Sequence, residues 1–126
     1  MAAENFKKLE IWQESHRLML KVYEVSKDFP KSEAFGLTDQ LRRAALSVPS
    51  NIAESSGRYH YADTAKFIFN ARGSAYEVMS QLRAAYDLGY LNKQDFDSLD
   101  SDYETLVKRI NSYARYLTDK KSQSTN

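Results

Sequence analysis

This chain of 126 residues has 18 basic and 17 acidic residues, a formal charge of +1, two histidines and no cysteine. The length suits one domain with its own core, and the absence of thiols excludes disulfides, zinc–thiolate sites and cysteine nucleophiles. With so little net charge, attraction to nucleic acid has to come from a local patch. No segment approaches the roughly 18 apolar residues of a membrane span, and the charged first residues do not form a signal peptide. We therefore expect a cytoplasmic protein without membrane contact.

Hydrophobic periodicity predicts four amphipathic helices within a single domain. They cover residues 7–28, 38–57, 61–88 and 93–119, and residues 121–126 form a polar tail that we expect to be disordered. Phe29 followed by Pro30 ends the first helix, because the residue before a proline disfavours the helical conformation. Thr38 is expected to cap the second helix, and Gly57 to end it.

The second helix contains a proline at its middle. Pro49 cannot donate a hydrogen bond to the carbonyl of Ala45, and its ring crowds that turn. The sequence therefore predicts either one kinked helix or two short ones. Ser47 and Ser50 flank the proline and have hydroxyls suited to bonding the freed backbone groups, which favours one kinked helix.

The third helix carries two adjacent apolar rows, one that includes Ile68 and another that begins at Phe69. Two rows are more than one packed neighbour requires, so we expect part of this helix to meet another subunit. Gly89 is expected to end the helix in a left-handed conformation. Asn92 with Asp95 then predicts a capped start for the fourth helix.

The fourth helix is acidic in its first half and basic in its second half, an order that complements the helix dipole. The acidic residues are Asp95, Asp97, Asp100, Asp102 and Glu104, and the basic ones are Lys108, Arg109, Arg115, Lys120 and Lys121. This pattern is typical of a solvated face with favourably placed charges. Four long helices with short connections predict an all-α fold, an up-down-up-down antiparallel four-helix bundle over residues 1–126.

The residues that would carry catalysis are few. His16 and His60 lie on different elements, and neither has a carboxylate or a second histidine at ligand spacing. The inward-facing Glu-x-x-His pattern of di-metal bundles is absent from the sequence, as are the glycine-rich phosphate loops. We expect no enzymatic activity, no metal and no cofactor.

Polar side chains on the second and third helices need a separate explanation. A glycine inside a helix, such as Gly73, costs about 1 kcal/mol relative to alanine unless a neighbour must approach its backbone closely. One hypothesis is a hydrogen-bonded cluster between the two helices, joined by arginine donors. Its candidate members are Arg43, Asn51, Glu54, Asn70 and Glu77, with Arg58 beside them. The alternative is two solvated faces that do not touch.

Arginines interleaved with tyrosines suit phosphate contact and base stacking. The candidate nucleic-acid-binding residues are Arg42, Arg58, Arg72 and Arg83, and the aromatics between them are Tyr59, Tyr61, Tyr76, Tyr86 and Tyr90. Tyrosine is equally suited to protein interfaces. From the residues alone, a helix-to-helix interface and a nucleic-acid surface both remain open.

Three segments together resemble a known family. They are GLTDQLRRAALSVPSNIAE at 36–54, FNARGSAYEV at 69–78 and DLGYL at 87–91, and Trp12 and the stop at Phe29 match as well. This combination resembles the bacterial four-helix-bundle proteins encoded in intervening sequences of 23S ribosomal RNA genes, also called S23 ribosomal proteins. One departure is visible, because the family usually has glycine where this chain has Ser55, and the glycine here comes at Gly57.

The resemblance implies a bundle that assembles into a ring-like homopentamer. It also implies kinship with the accessory proteins of diversity-generating retroelements, whose basic pentameric barrels bind nucleic acid and a reverse transcriptase. It does not imply an enzyme. We therefore expect a self-associating, non-enzymatic helical-bundle protein that binds RNA or DNA. The alternative is a scaffold or adaptor whose partner is a protein.

Overall fold

The protein folds into four long helices that pack as a closed bundle. The computed structural model describes residues 3–58 and 60–125, and the side chains of residues 5–58 and 60–120. The helices are α1 (Glu10–Ser26), α2 (Leu37–Ser56), α3 (Tyr61–Asp87) and α4 (Lys93–Thr125), with 3₁₀ segments at Ala3–Lys8 and Lys31–Glu33. Helices that follow one another in sequence pack together, and α1 also packs against α4. This arrangement confirms the predicted all-α, up-down-up-down four-helix bundle.

The core lies along the axis between the four helices. Its largest fully buried aliphatic side chains are Leu18, Leu41, Ile52, Ile68, Leu82, Leu99, Leu106 and Ile110. Helices α2 and α3 pack together, and both bury small residues, including Ala45 on α2 and Ala71 and Ala75 on α3. Short side chains at a helix contact let the two backbones approach closely.

Helix α2 is continuous through its proline. Pro49 is buried inside the helix, so the structure selects one helix over two short ones. The hydroxyl of Ser47 does not serve the freed backbone group as expected. It shares a hydrogen bond of 2.8 Å with the hydroxyl of Ser74 on α3, and it accepts one of 3.0 Å from the amide of Asn51. The serine therefore links two helices near the proline.

The end of α3 is set by a glycine in the left-handed region, as predicted. Gly89 has a φ of 82°. The N–H of Tyr90 donates to the carbonyl of Ala85 at 2.9 Å, and the N–H of Gly89 donates to Tyr86 at 3.0 Å. This pair of bonds is the Schellman motif, which satisfies carbonyls that the end of a helix leaves free.

The predicted cap of α4 is confirmed, and that of α2 is wrong. The side-chain oxygen of Asn92 accepts from the N–H of Asp95 at 2.7 Å, and its amide donates to the Asp95 carboxylate at 3.2 Å. In α2, the N–H of Leu37 donates to the carboxylate of Glu33 at 3.2 Å. Thr38 is buried inside the first turn, and its hydroxyl has no hydrogen-bond partner.

Two helix boundaries differ from the prediction. The N-terminal segment up to Lys8 is 3₁₀ helix, so α1 begins at Glu10, and α4 continues to Thr125 where the sequence predicted a disordered tail. No glycine or proline follows Gly89 in the sequence, so nothing there breaks the helix. Asn126 lies outside the described residues.

Replacing the cap of α4 should destabilise the protein measurably. We expect Asn92→Ala to lower the free energy of unfolding by about 1 kcal/mol. The backbone N–H and the carboxylate of Asp95 would both lose their hydrogen bonds to the Asn92 side chain. Urea unfolding followed by circular dichroism measures this. The matched control is Asn70→Ala, since Asn70 lies exposed within α3. Equal losses in both variants would show that the cap bonds contribute nothing.

Candidate functional site

Positive charge gathers at one end of the bundle. The antiparallel path brings the N-terminal segment, the end of α2, the start of α3 and the second half of α4 together, and all four line one cleft there. We call this half of the molecule the basic end. Its basic residues are Lys7, Lys8, Arg58, Lys66, Arg72, Lys108, Arg109, Arg115 and Lys120, and its acidic ones are Glu10, Glu14, Glu54, Asp63 and Asp119. The acidic first half of α4 lies at the opposite end.

Two of the four candidate arginines lie at the basic end. Arg58 pairs with Glu54 at 2.6 Å and stacks over the ring of Phe67, with 4.5 Å from its guanidinium carbon to the ring centroid. Arg72 donates to the side-chain oxygen of Asn111 at 2.9 Å. These contacts hold the two cations in place on the surface of the bundle.

The other two candidate arginines lie in the opposite half. Arg42 donates to the hydroxyl of Ser26 at 2.8 Å and to the carbonyl of Tyr23 at 3.2 Å, so it ties α2 to the end of α1. Arg83 pairs with Asp87 one turn further along α3, at 3.2 Å. The four arginines therefore do not form one surface.

The interleaved tyrosines are also distributed over the molecule. Tyr59 lies outside the described residues. Tyr61 lies at the basic end, and Tyr76 is exposed near the middle of α3. Tyr86 and Tyr90 belong to the opposite half, where they pack on the core. Among the described residues, the alternation of arginine and tyrosine along the sequence does not become a continuous surface in the fold.

The predicted polar cluster is not joined into one network. Arg43 pairs with Asp39 at 2.9 Å, and its side chain is 78% exposed. Glu54 pairs with Arg58. Both pairs join residues four positions apart, which are neighbours on a helix surface and stay in water. These side chains therefore find partners without crossing to α3.

The polar link between α2 and α3 uses serines instead. The hydroxyls of Ser47 and Ser74 make the hydrogen bond that crosses the interface, and Asn51 donates to the hydroxyl and to the carbonyl of Ser47. Asn70 and Glu77 are exposed on α3. Among the described side chains, no hydrogen bond joins either residue to Arg43, Asn51 or Glu54.

Two clefts open at the basic end. The larger, which we call the end cleft, has a volume of about 540 Å³. Apolar and aromatic side chains line it together with two cations: Leu9, Tyr61, Tyr113, Leu117, Lys8 and Arg58. The second, of about 500 Å³, lies between the start of α1 and α4 and adds Lys108 and Arg109. Lys8, Leu9 and Tyr113 line both clefts, so the two are neighbours.

Tyr113 is the aromatic residue shared by the two clefts. Burial raises the pKa of its hydroxyl above the usual value, and the nearby Tyr116 adds to the rise. The rings of these two tyrosines stack with 5.9 Å between their centroids. At neutral pH, Tyr113 is therefore a neutral hydrogen-bond donor attached to a ring that its neighbours hold in position.

The described residues form no recognisable catalytic group. No set of three histidine, cysteine, aspartate or glutamate side chains among them is placed to hold a metal ion. His16 stacks on Trp12 with 4.7 Å between ring centroids, so its role in the structure is packing against that ring. His60 is exposed before α3. None of the helices in the described part is long and apolar enough to span a bilayer.

These features define an all-α four-helix-bundle protein with a basic end. The model of the 23S rRNA-intervening sequence protein family matches residues 7–112. The chain therefore belongs to the 23S rRNA-intervening sequence protein family, as its resemblance predicted.

A solved structure has the same fold. It is the crystal structure of a protein of unknown function from the S23 ribosomal protein family of Bacteroides thetaiotaomicron VPI-5482, with a TM-score of 0.75. The sequence identity is 19%, and the match covers 82% of this chain and 97% of that one. At this identity the likeness shows the fold alone. No curated protein matches the chain.

The sequence did not single out the N-terminal lysines or the basic half of α4 as a site. Lys8 and Arg109 are far apart in the sequence, and they line the same cleft because α1 starts beside the second half of α4. The sequence did contain a signal for this site. The charge gradient of α4 and an up-down topology together place the basic half of α4 beside the N-terminal segment.

The contacts of Arg42 and Arg43 predict different effects on stability. We expect Arg42→Ala to lower the free energy of unfolding by about 1–2 kcal/mol, because it removes hydrogen bonds between α2 and α1. Arg43→Ala is the matched control, with a loss below about 0.5 kcal/mol, since its ion pair is exposed. Urea unfolding of both variants measures the difference. Equal losses would contradict a structural role for Arg42.

Proposed function

We propose that this protein is a non-enzymatic nucleic-acid-binding module whose basic end contacts the phosphates of RNA or DNA. The observation that carries the proposal is the excess of basic over acidic side chains at one end of a chain whose formal charge is only +1, since most of the acidic side chains lie in the opposite half. A local positive surface attracts phosphates even when the net charge is near zero. We place this function in the cytoplasm, with which a cysteine-free sequence is compatible.

Several cations of the basic end are free to bind phosphates. Lys108, Arg109 and Arg115 are exposed along the second half of α4. None of the three forms an ion pair with a described carboxylate. A cation without an internal partner gives its full charge to a ligand, and its contact with phosphate releases counterions. The kinship with nucleic-acid-binding accessory proteins that the family resemblance implies points in the same direction.

We propose further that the protein acts as a homo-oligomer, with a pentamer as the expected form. Phe69 and Tyr76 lie in the second apolar row of α3, and they are 43% and 52% exposed. Half-exposed aromatic side chains at helical spacing suit a contact between subunits. An assembly would bring several basic ends to one rim, which multiplies the phosphate contacts available to one nucleic acid.

A protein scaffold or adaptor is the second candidate function. The observation that favours it is Phe35, which is 97% exposed in the connection between α1 and α2. A fully exposed phenylalanine gives nothing to the core and suits insertion into a pocket of a protein partner. This residue lies at the end of the bundle opposite to the basic end, so the two functions can be tested separately.

Fluorescence anisotropy with labelled structured RNA and single-stranded DNA tests the first proposal. We expect binding that weakens steeply between about 50 and 200 mM salt. The triple variant Lys108→Gln, Arg109→Gln, Arg115→Gln should bind about tenfold more weakly and lower the salt slope by up to about 3. The control triple, Lys27→Gln, Lys31→Gln, Lys93→Gln, removes the same charge from the opposite half.

The outcomes separate the two candidate functions. Equal weakening by both triple variants would show that the basic end has no special role in binding. No binding at low salt would overturn the nucleic-acid proposal for this protein. The Phe35→Ser variant would then be the one to compare in searches for a protein partner.

The oligomeric state is tested by light scattering coupled to size-exclusion chromatography. We expect the mass of a pentamer of 14.5 kDa chains. Tyr76→Glu should shift the mass towards smaller species, because a charge in a buried contact between subunits is costly. Leu88→Glu, at a comparably exposed apolar residue outside the helices, should leave the mass unchanged. A monomeric wild-type protein would contradict self-association.

A further inference from the structure

We propose that the end cleft holds one unstacked base of a single-stranded RNA or DNA, with Lys8 and Arg58 binding the adjacent phosphate. The inference rests on the proposed function, because it assigns the ligand to the same basic end. It goes further by naming the substrate class, which is a single strand or a loop with unpaired bases. A continuous duplex would contact only the cations of the surface.

The walls of the end cleft suit the face of a base. Tyr61 and Tyr113 line it, and both pack against the hydrophobic core. Leu117, which is buried, and Leu9 complete the apolar lining. Aromatic side chains held by a core offer a fixed stacking surface, and stacking tolerates every base because every base has a π-face.

The size of the cleft favours a single base over a duplex. Its volume of about 540 Å³ lies in the range of sites that enclose small organic molecules. A base inside a duplex is stacked on both sides, and placing it in such a cleft requires unpairing and unstacking. An unpaired base avoids that cost. The cleft should therefore discriminate between single and double strands of the same sequence.

Two cations line the same cleft. Lys8 is exposed and forms no ion pair with a described carboxylate. Arg58 is held over the ring of Phe67 and against Glu54, so its guanidinium is positioned before a ligand arrives. A base in the cleft places its phosphate within the reach of such side chains. Ser56 adds a hydroxyl that suits the polar edge of a base.

The neighbouring cleft extends the path for the strand. It shares Lys8 and Tyr113 with the end cleft and adds Lys108 and Arg109 from α4. An aromatic site beside a track of cations is the combination that single-strand-binding surfaces use, since the cations follow the backbone while the rings take the bases. The geometry therefore supports a strand that enters the end cleft and continues along α4.

Competition anisotropy on the full chain tests this inference. The probes are a labelled oligonucleotide of about 12 nucleotides, a blunt duplex of the same sequence, and free AMP. We expect the wild-type protein to bind the single strand at least about tenfold more tightly than the duplex. Tyr113→Leu keeps an apolar side chain but removes the ring, so we expect about a tenfold loss for the single strand and no change for the duplex.

The control variant is Tyr86→Leu. Tyr86 also packs on the core but lies in the opposite half of the bundle and does not line the end cleft, so its substitution should leave both affinities unchanged. If Tyr113→Leu unfolds, Ser56→Phe supplies a second test. That variant fills the cleft from the exposed end of α2, and it should also abolish the preference for the single strand.

Each outcome decides between the proposals. The base site would be overturned if the single strand and the duplex bound with equal affinity and neither Tyr113→Leu nor Ser56→Phe changed the affinity. The basic end would then remain as a surface that contacts phosphates. Binding of AMP as tight as that of the oligonucleotide would assign the cleft to a free nucleotide instead. Absence of binding to every probe would overturn the proposed function itself.

Discussion

The short connections of the bundle force each helix to run back along the one before it, and this constraint decides where each charge lies. In α4, acidic residues come first and basic residues follow, an order that suits the helix dipole. Because α1 and α3 start beside the second half of α4, the basic part of α4 meets Lys8 and Arg58. A chain with almost no net charge thereby acquires a basic end.

The opposite end of the bundle is held by one carboxylate. The hydroxyl of Tyr90 donates to Glu33 at 3.0 Å, and the N–H of Leu37 donates to the other oxygen of the same carboxylate. The ring of Tyr90 also packs on Phe29, with 5.8 Å between centroids. The left-handed Gly89 is what turns the chain so that Tyr90 reaches this position. Both connections at this end are thus tied together, which fixes the frame of the bundle.

Local sequence signals were enough to predict the fold. They did not predict which side chains pair with each other across helices and connections. Gly89 and the Asn92 cap act through backbone bonds within a few residues, so the sequence predicts them correctly. Thr38 was wrong as a cap because Glu33, in the preceding connection, reaches the first turn of α2. The partners of Arg42 depend on the register between α1 and α2, which spacing within one helix does not reveal.

The departure of this chain from its family pattern coincides with the candidate site. Ser55 stands where the resemblance leads one to expect glycine, a residue that favours the end of a helix. Here Ser55 is buried, and its hydroxyl donates to the carbonyl of Ile52 at 2.6 Å. Helix α2 therefore continues to Ser56, and Gly57 caps it. This ending places both serines and Arg58 in the lining of the end cleft. The candidate cleft is thus shaped by the part of α2 in which this chain departs from the pattern that it resembles.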